Sequence, residues 1–192
     1  HNEPIVPVEA GYLYQLHYPE KSNMKQAVQV GFNEALASAL AIKAYHESGQ
    51  TGQIGIILNL TPSYPRDSNN PEDVRAAEIA DAFFNRSFLD PAVKGIFPEE
   101  LVKIVKELDM VPEMQASDLD IIKNNTVDLL GFNYYQPRRI KAKETPVDPA
   151  AAPMPENYFD VYDMPGKKMN PYRGWEIYEK GIYDLLINLR DN

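Results

Sequence analysis

The sequence predicts an α/β fold built on parallel strands, and three observations carry that reading. A long Ala-rich amphipathic segment, residues 24–49, is followed by a short continuous apolar run, Gln53 to Asn59. Further helical segments then lead to a second such run, Thr126 to Tyr135. A run that is β-branched and apolar without alternation marks a strand covered on both faces, as in a parallel sheet flanked by helices. Both runs turn polar at their C-terminal ends, at Asn59 and at Asn133-Tyr134-Tyr135, where parallel α/β sheets carry their ligands. Periodicity does not choose between a (β/α)8 barrel and a doubly wound sheet. In a barrel, Asn2-Glu3, Asn59 and Asn133-Tyr134-Tyr135 would converge on one mouth; in a doubly wound sheet they would meet at a crevice.

The elements follow in order. Glu3 precedes Pro4 and is expected in an extended conformation, ending a strand, because proline disfavours the αR region for the residue before it. Ile5 to Tyr18 is an apolar segment with an aromatic turn. Ser22-Asn23 supply N-cap types and Gly49 stands where a C′ residue belongs, so a helix is predicted between them. The loop Leu60 to Asn70 ends in Asn70-Pro71-Glu72-Asp73, a cap with proline at N1 and acids in the first turn, opening a helix to about Ser87. A connection through Asp90-Pro91 and Gly95 leads to a helix starting at Pro98-Glu99-Glu100, with Leu101, Val102, Ile104, Val105 and Leu108 on its apolar face. Ser117 and Asp120 are read as capping a short helix through Ile122. Gln136 to Asn170 is a long proline-rich loop without helical or strand period, of a length that is usually functional or disordered. From about Ile177 to Arg190, the spacing of Ile182, Leu185, Leu186 and Leu189 predicts a last helix.

Composition narrows the functional classes. At 192 residues, 44% hydrophobic and 24% charged, the chain has the make-up of one globular domain. A formal charge of -9 without clustered Lys and Arg argues against nucleic acid or an anionic membrane surface as partner. No apolar run approaches the roughly 18 residues of a membrane span, and no signal-peptide pattern opens the chain. The absence of cysteine rules out a disulfide scaffold or thiolate metal site and fits a cytoplasmic setting. His1, His17 and His46 share no metal-ligand spacing, so no metal is expected. The chain begins with His rather than Met, inside a motif, as a fragment or processed product would.

Three stretches, in order and spacing, resemble family 1 of the glycoside hydrolases, the retaining β-glycosidases on a (β/α)8 TIM barrel. Asn2-Glu3-Pro4 is similar to the acid/base motif ending strand four, and Gly131-Phe132-Asn133-Tyr134-Tyr135 to the strand-six motif. Gly174-Trp175-Glu176-Ile177 is similar to the segment introducing the next helix, and Ile54 to Asn59 resembles strand five. The resemblance implies strands four to six with their helices, a single partial-barrel domain over residues 1–192 that is incomplete relative to the family. Ile5 to Tyr14 and Asn59 to Pro65 look most like the bacterial 6-phospho-β-glycosidases, whereas plain β-glucosidases usually place Trp where this chain has Ile5.

The resemblance assigns roles to individual residues. Glu3 is the general acid/base, and Asn2 hydrogen-bonds the sugar 2-hydroxyl, a contact that strengthens as the anomeric carbon becomes positive. Tyr135 hydrogen-bonds the nucleophile and Asn133 orders the carboxylates. Asn59 and Trp175 face the aglycone. Each has a plainer competing role: a strand-end cap for Asn2 and Asn59, a core aromatic with a solvated hydroxyl for Tyr135, a plug for Trp175. Glu72-Asp73 and Glu99-Glu100 are explained by helix first turns. The family's nucleophile lies in a Glu-Asn-Gly motif on strand seven, and no Glu-Asn-Gly occurs here; Glu156-Asn157-Tyr158, the nearest string, falls in the proline-rich loop. The chain alone is therefore expected to be inactive. The expected partner is a small-molecule sugar or sugar phosphate, with no cofactor, and the open sheet edges invite self-association. The alternatives are a glycosidase of unphosphorylated glucosides or galactosides, or a non-catalytic truncated segment.

Overall fold

The computed structural model describes residues 2–192. In chain order the elements are a π-helical turn Pro7–Leu13, α1 (Met24–Glu47), β1 (Gly55–Asn59), β2 (Ser63–Pro65), α2 (Pro71–Asp81), a π-helical stretch Ala82–Arg86, α3 (Ser87–Val93), α4 (Glu99–Glu107), α5 (Asp118–Asn124), β3 (Leu129–Asn133), β4 (Arg138–Lys141), a 3-10 turn Pro155–Asn157, β5 (Asp160–Val161) and α6 (Lys180–Asp191). Chain contacts divide them into two compact units. The first takes the residues up to Asn59, Arg86–Phe132 and Ala152–Met154; the second takes Leu60–Asn85, Asn133–Ala151 and Pro155–Asn192.

In the first unit, α1 starts where Asn23 accepts a hydrogen bond from the Gln26 N–H at 3.0 Å, and it ends before Gly49 at φ +73, as the capping residues predict. Its small residues let α5 approach closely: Phe32, Ala35 and Ala39 share one cluster with Ile122, and Leu36, Phe97 and Ile121 pack around it. β1 and β3 run in parallel, since Gly55 lies against Leu129 and Ile57 against Gly131. The fit at Gly131 is close: a Cβ there would stand 3.1 Å from the Ile57 side chain. On the other side of β1, Asn2 forms a parallel bridge with Ile57.

The strands are not covered on both faces as the sequence suggested. Ile56 and Leu58 are buried, but Ile57 is 42% exposed and Leu129 57%. Successive side chains point to opposite faces; one face of this pair packs on helices and the other is open among the described residues. Glu3 also departs from expectation: its φ is +49 rather than extended. Its N–H still joins the ladder, donating to the Ile57 carbonyl at 2.8 Å, and the chain then turns sharply, with Val6 N–H returning to the Glu3 carbonyl at 3.0 Å. Proline excludes αR at this position, so the turn is made through the left-handed region, at a cost of roughly 1–3 kcal/mol for a residue with a side chain.

Asn70 caps α2 as predicted, accepting from the Glu72 N–H at 3.0 Å. The helical path does not stop near Ser87. It passes through the π-helical stretch and continues as α3, with Pro91 inside it. Local pairing explains this: Arg86 Nη2 lies 2.6 Å from the buried Asp90 carboxylate, one turn on. Ser117 provides no side-chain cap to α5; Asp118 instead accepts from the Gln115 N–H at 2.8 Å.

The second unit corrects the reading of residues 136–170 as an aperiodic loop. β4 pairs in parallel with β2, Ser63 opposite Arg138 and Pro65 opposite Ile140, and β5 pairs antiparallel with β4. Strands this short show no period, and their partners are distant in sequence. Ile140 and Phe159 are buried, Phe84 meets Phe159 edge-on with ring centres 6.1 Å apart, and the Arg138 guanidinium stacks on Phe84 at 3.6 Å. α6 buries Leu185, while Ile182 and Leu186 of the predicted apolar face are about half exposed. Among the described residues, no helix is long and apolar enough to cross a membrane.

Candidate active site

The first unit holds Asn2, Glu3 and Asn59. Asn2 and Glu3 run beside the C-terminal half of β1 through the bridge to Ile57, so the Glu3 carboxyl stands at a strand end, and Asn2 is exposed. Asn59 closes β1; its side-chain oxygen is buried and makes no hydrogen bond among the described residues. An amide oxygen left in that state costs about 1–3 kcal/mol, which the plain strand-cap role does not explain.

The second unit holds Asn133, Tyr135 and Trp175. The Asn133 carbonyl accepts from the Leu60 N–H at 3.0 Å, which fixes the polar end of β3. Tyr135 and Trp175 are brought together, ring centres 5.3 Å apart and tilted 45°. Trp175 is carried by a tight hairpin. Asn170 makes it: its side chain accepts from the Tyr172 and Arg173 N–H groups at 2.9 and 3.1 Å, and its own N–H donates to the Trp175 carbonyl at 2.8 Å. Gly174, at φ +68, permits the turn. Beyond the indole a cleft of about 200 Å³ is lined by Tyr134, Tyr135, Trp175, Glu176 and Tyr178.

Beneath this cleft lies a network that local sequence patterns did not reveal. Glu176 is buried and receives a two-pronged contact from Arg139, Nη2 to Oε1 at 2.6 Å and Nε to Oε2 at 3.2 Å. The Arg139 guanidinium is stacked against Tyr178 at 4.4 Å and Tyr64 at 4.9 Å. Tyr134 donates its hydroxyl to the Tyr178 carbonyl at 2.7 Å, and Tyr64 donates to Asp184 at 2.8 Å. Burial, and after it the Glu176 carboxylate, push the Tyr134 phenol up to about 12. Burial and the hydrogen bond to Asp184 push Tyr64 higher still. Both phenols are neutral donors at any physiological pH. Glu176, tied to a guanidinium, is a poor nucleophile. The second unit thus offers stacking and fixed polarity, and the proton-transfer candidate is Glu3 in the first. Glu156 lies in the 3-10 turn Pro155–Asn157, which precedes β5 rather than closing a strand. Among the described residues, no group of three or more His, Cys, Asp or Glu side chains could hold a metal.

The comparisons are specific: the chain belongs to glycosyl hydrolase family 1, whose family model matches residues 1–192. It is 69% identical over 192 residues to the 6-phospho-beta-glucosidase GmuD of Bacillus subtilis, covering all of this chain and 41% of that protein. It is 33% identical to Beta-glucosidase A of Acetivibrio thermocellus, covering 98% of this chain and 40% of the relative. Among solved structures, the virulence factor SghA of Agrobacterium tumefaciens superposes with a TM-score of 0.85 at 29% identity, covering the whole chain and 40% of SghA. The chain spans about two fifths of the length of the curated relatives it matches.

Proposed function

We propose that this chain forms strands four to six, with their helices, of the (β/α)8 barrel of a longer retaining β-glycosidase acting on 6-phospho-β-glucosides, as one partial-barrel domain. The observation that carries the reading is the 69% identity across the whole chain to a protein named 6-phospho-beta-glucosidase, against 33% to one named Beta-glucosidase A. The open face of β1 and β3 is consistent with strands whose inner face belongs to a larger barrel.

In this reading Glu3 is the general acid/base. It protonates the leaving oxygen and then deprotonates the water that releases the glycosyl-enzyme intermediate. Asn2 hydrogen-bonds the 2-hydroxyl, Asn59 and Trp175 line the aglycone side, and Tyr135 and Asn133 take the carboxylate-ordering roles that the motif implies. The second carboxylate, about 5–5.5 Å from the first in retaining enzymes, is supplied by the remainder of the polypeptide, since no Glu-Asn-Gly occurs here. The enzyme works in the cytoplasm, without metal or cofactor.

The test uses the full-length polypeptide. An aryl 6-phospho-β-glucoside should be hydrolysed much faster than its unphosphorylated counterpart; equal or reversed rates would overturn the substrate class and leave the family standing. Glu3→Gln should slow turnover by roughly 10² to 10⁴, the range for lost acid/base help. With an activated leaving group, azide should restore turnover and give the β-glycosyl azide, because azide attacks without deprotonation. A Glu3→Gln enzyme that azide does not rescue would remove Glu3 from that role.

A further inference from the structure

We propose that Arg173 is a specificity-determining residue that favours aglycones bearing a carboxylate or similar anionic group; the inference rests on the reading that Trp175 faces the aglycone. The guanidinium of Arg173 lies 5.6 Å from the centre of the Trp175 ring. In a chain of net charge -9, it is an exposed cation without a carboxylate partner among the described residues, whereas Arg139 on the same unit is tied to Glu176. Its backbone is held, since the Arg173 N–H is one of the two donors to the Asn170 side chain. The charge is therefore presented from a built hairpin rather than from a free tail.

The chemistry follows from that placement. The guanidinium lies over the indole, so an aromatic or sugar aglycone packing along the edge of the Trp175 ring brings its substituents within reach of that cation. A neutral substituent meets a solvated cation and gains little. A carboxylate accepts charge-assisted hydrogen bonds from a planar fork of donors, beside an aromatic surface that excludes part of the water. Arginine suits this double duty, because it stacks on aromatic rings and still pairs with oxyanions. Tyr135 on the indole completes the platform.

The experiment uses the full-length enzyme and two aryl β-glycosides of equal shape, one with a para-carboxylate and one with a para-carboxamide. Both are made with and without the 6-phosphate. The quantity read is the carboxylate-to-carboxamide ratio of kcat/KM, so differences in leaving-group reactivity cancel between variants. Arg173→Met keeps the stem and should lower that ratio about three- to tenfold, through KM, the range for a partly exposed charge-assisted pair. Arg173→Lys should retain part of the preference. Trp175→Ala should weaken both substrates alike. An unchanged ratio in Arg173→Met, or equal losses on both substrates, would overturn the proposal, the latter assigning Arg173 only to packing. Indifference of both substrates to Trp175→Ala would remove the aglycone placement beneath it. Because the ratio is read on both sugar forms, a failed phosphate preference leaves the arginine result legible.

Discussion

Glu34 makes the ionisation of one buried carboxyl visible as stability. It stands in the middle of α1, half-buried, with one carboxyl oxygen fully buried and making no hydrogen bond among the described residues. The space beside it, about 10 Å³, holds at most one water. Its other walls are uncharged: Pro4 and Ile56, Ser38, Ala39 and Ile42 of the same helix, Phe88 and Pro91, and Asn125. Burial alone, with no cation to oppose it, raises the Glu34 carboxyl from the ordinary 4.5 to about 7. The folded chain therefore binds a proton that the unfolded chain lacks between those values, so stability falls as pH rises through that window and the loss is complete above it.

At about 1.36 kcal/mol for each tenfold change in the ionisation constant, the upper bound is roughly 3 kcal/mol. The side chain is only half-buried and water screens the rest, so we expect about 1–1.5 kcal/mol. Glu34→Gln keeps the shape and removes the charge. At pH 4, below the ordinary value, Glu34 is protonated in most chains, folded or unfolded, and the two proteins should agree within about 0.5 kcal/mol. At pH 8 the variant should be the more stable by about 1 kcal/mol, or about 2–4 °C in melting temperature for a chain of this size. Thermal melts of both chains at pH 4, 5, 6, 7 and 8 give the difference curve. A flat curve, or a variant that is less stable at pH 8, would mean that burial does not hold the proton on Glu34.

Other outcomes are expected from the same structure. Asp160, in the second unit, is buried, which would raise it, but Lys143 at 2.8 Å and the N–H groups of Glu144 and Thr145 at 2.9 and 2.8 Å outweigh burial and hold it well below the usual carboxylate range. Asp160→Ala should cost about 2–4 kcal/mol in urea unfolding at pH 7. That cost should shrink as pH falls below about 4, where the unfolded carboxyl protonates and the native advantage is lost. The 192-residue chain on its own should associate in light scattering at low micromolar concentration, through the edge of β3 that is unpaired among the described residues and the open face around Ile57 and Leu129; a stable monomer would contradict this.

Much of the helical framework was legible because its signals are local. Asn23, Gly49 and Asn70 fulfil their capping roles with the backbone groups three or fewer residues away. Pairing was not legible where it spans distance: β2, β4 and β5 have three, four and two residues, too few to display a period, and Ser63 finds Arg138 across most of the second unit's sequence. Asp90-Pro91 misled as a helix end because proline's local preference yields when the preceding turn widens into a π-helix and Arg86 clamps Asp90. Glu3 misled in conformation but not in position: the ladder bond to Ile57 keeps it at a strand end while Pro4 forces the turn that follows. The Tyr135–Trp175 contact joins residues that only the family resemblance placed in one list. Arg139 and Glu176, 37 residues apart, carry no shared local signal.

The two faces of β1 separate what stabilises this chain from what the proposed barrel requires. Ile56 and Leu58 face the helix layer and are 4% and 2% exposed, while Ile57 between them is 42% exposed. In the 192-residue chain, Leu58→Ala should therefore cost about 2–4 kcal/mol, transfer and cavity contributions together. Ile57→Ala should cost no more than about 1 kcal/mol, since half of its side chain already meets water. A barrel changes only the second number. If strands four to six are completed by the rest of a longer polypeptide, Ile57 turns into a packed interior, and its truncation in the full-length enzyme should rise to about 2–4 kcal/mol while Leu58→Ala stays as it was. Unfolding of both variants in both lengths of chain gives four numbers and one comparison. An Ile57→Ala cost that remains near 1 kcal/mol in the full-length protein would mean that this face of β1 is not a barrel interior, and the assignment to strand five would fall with it.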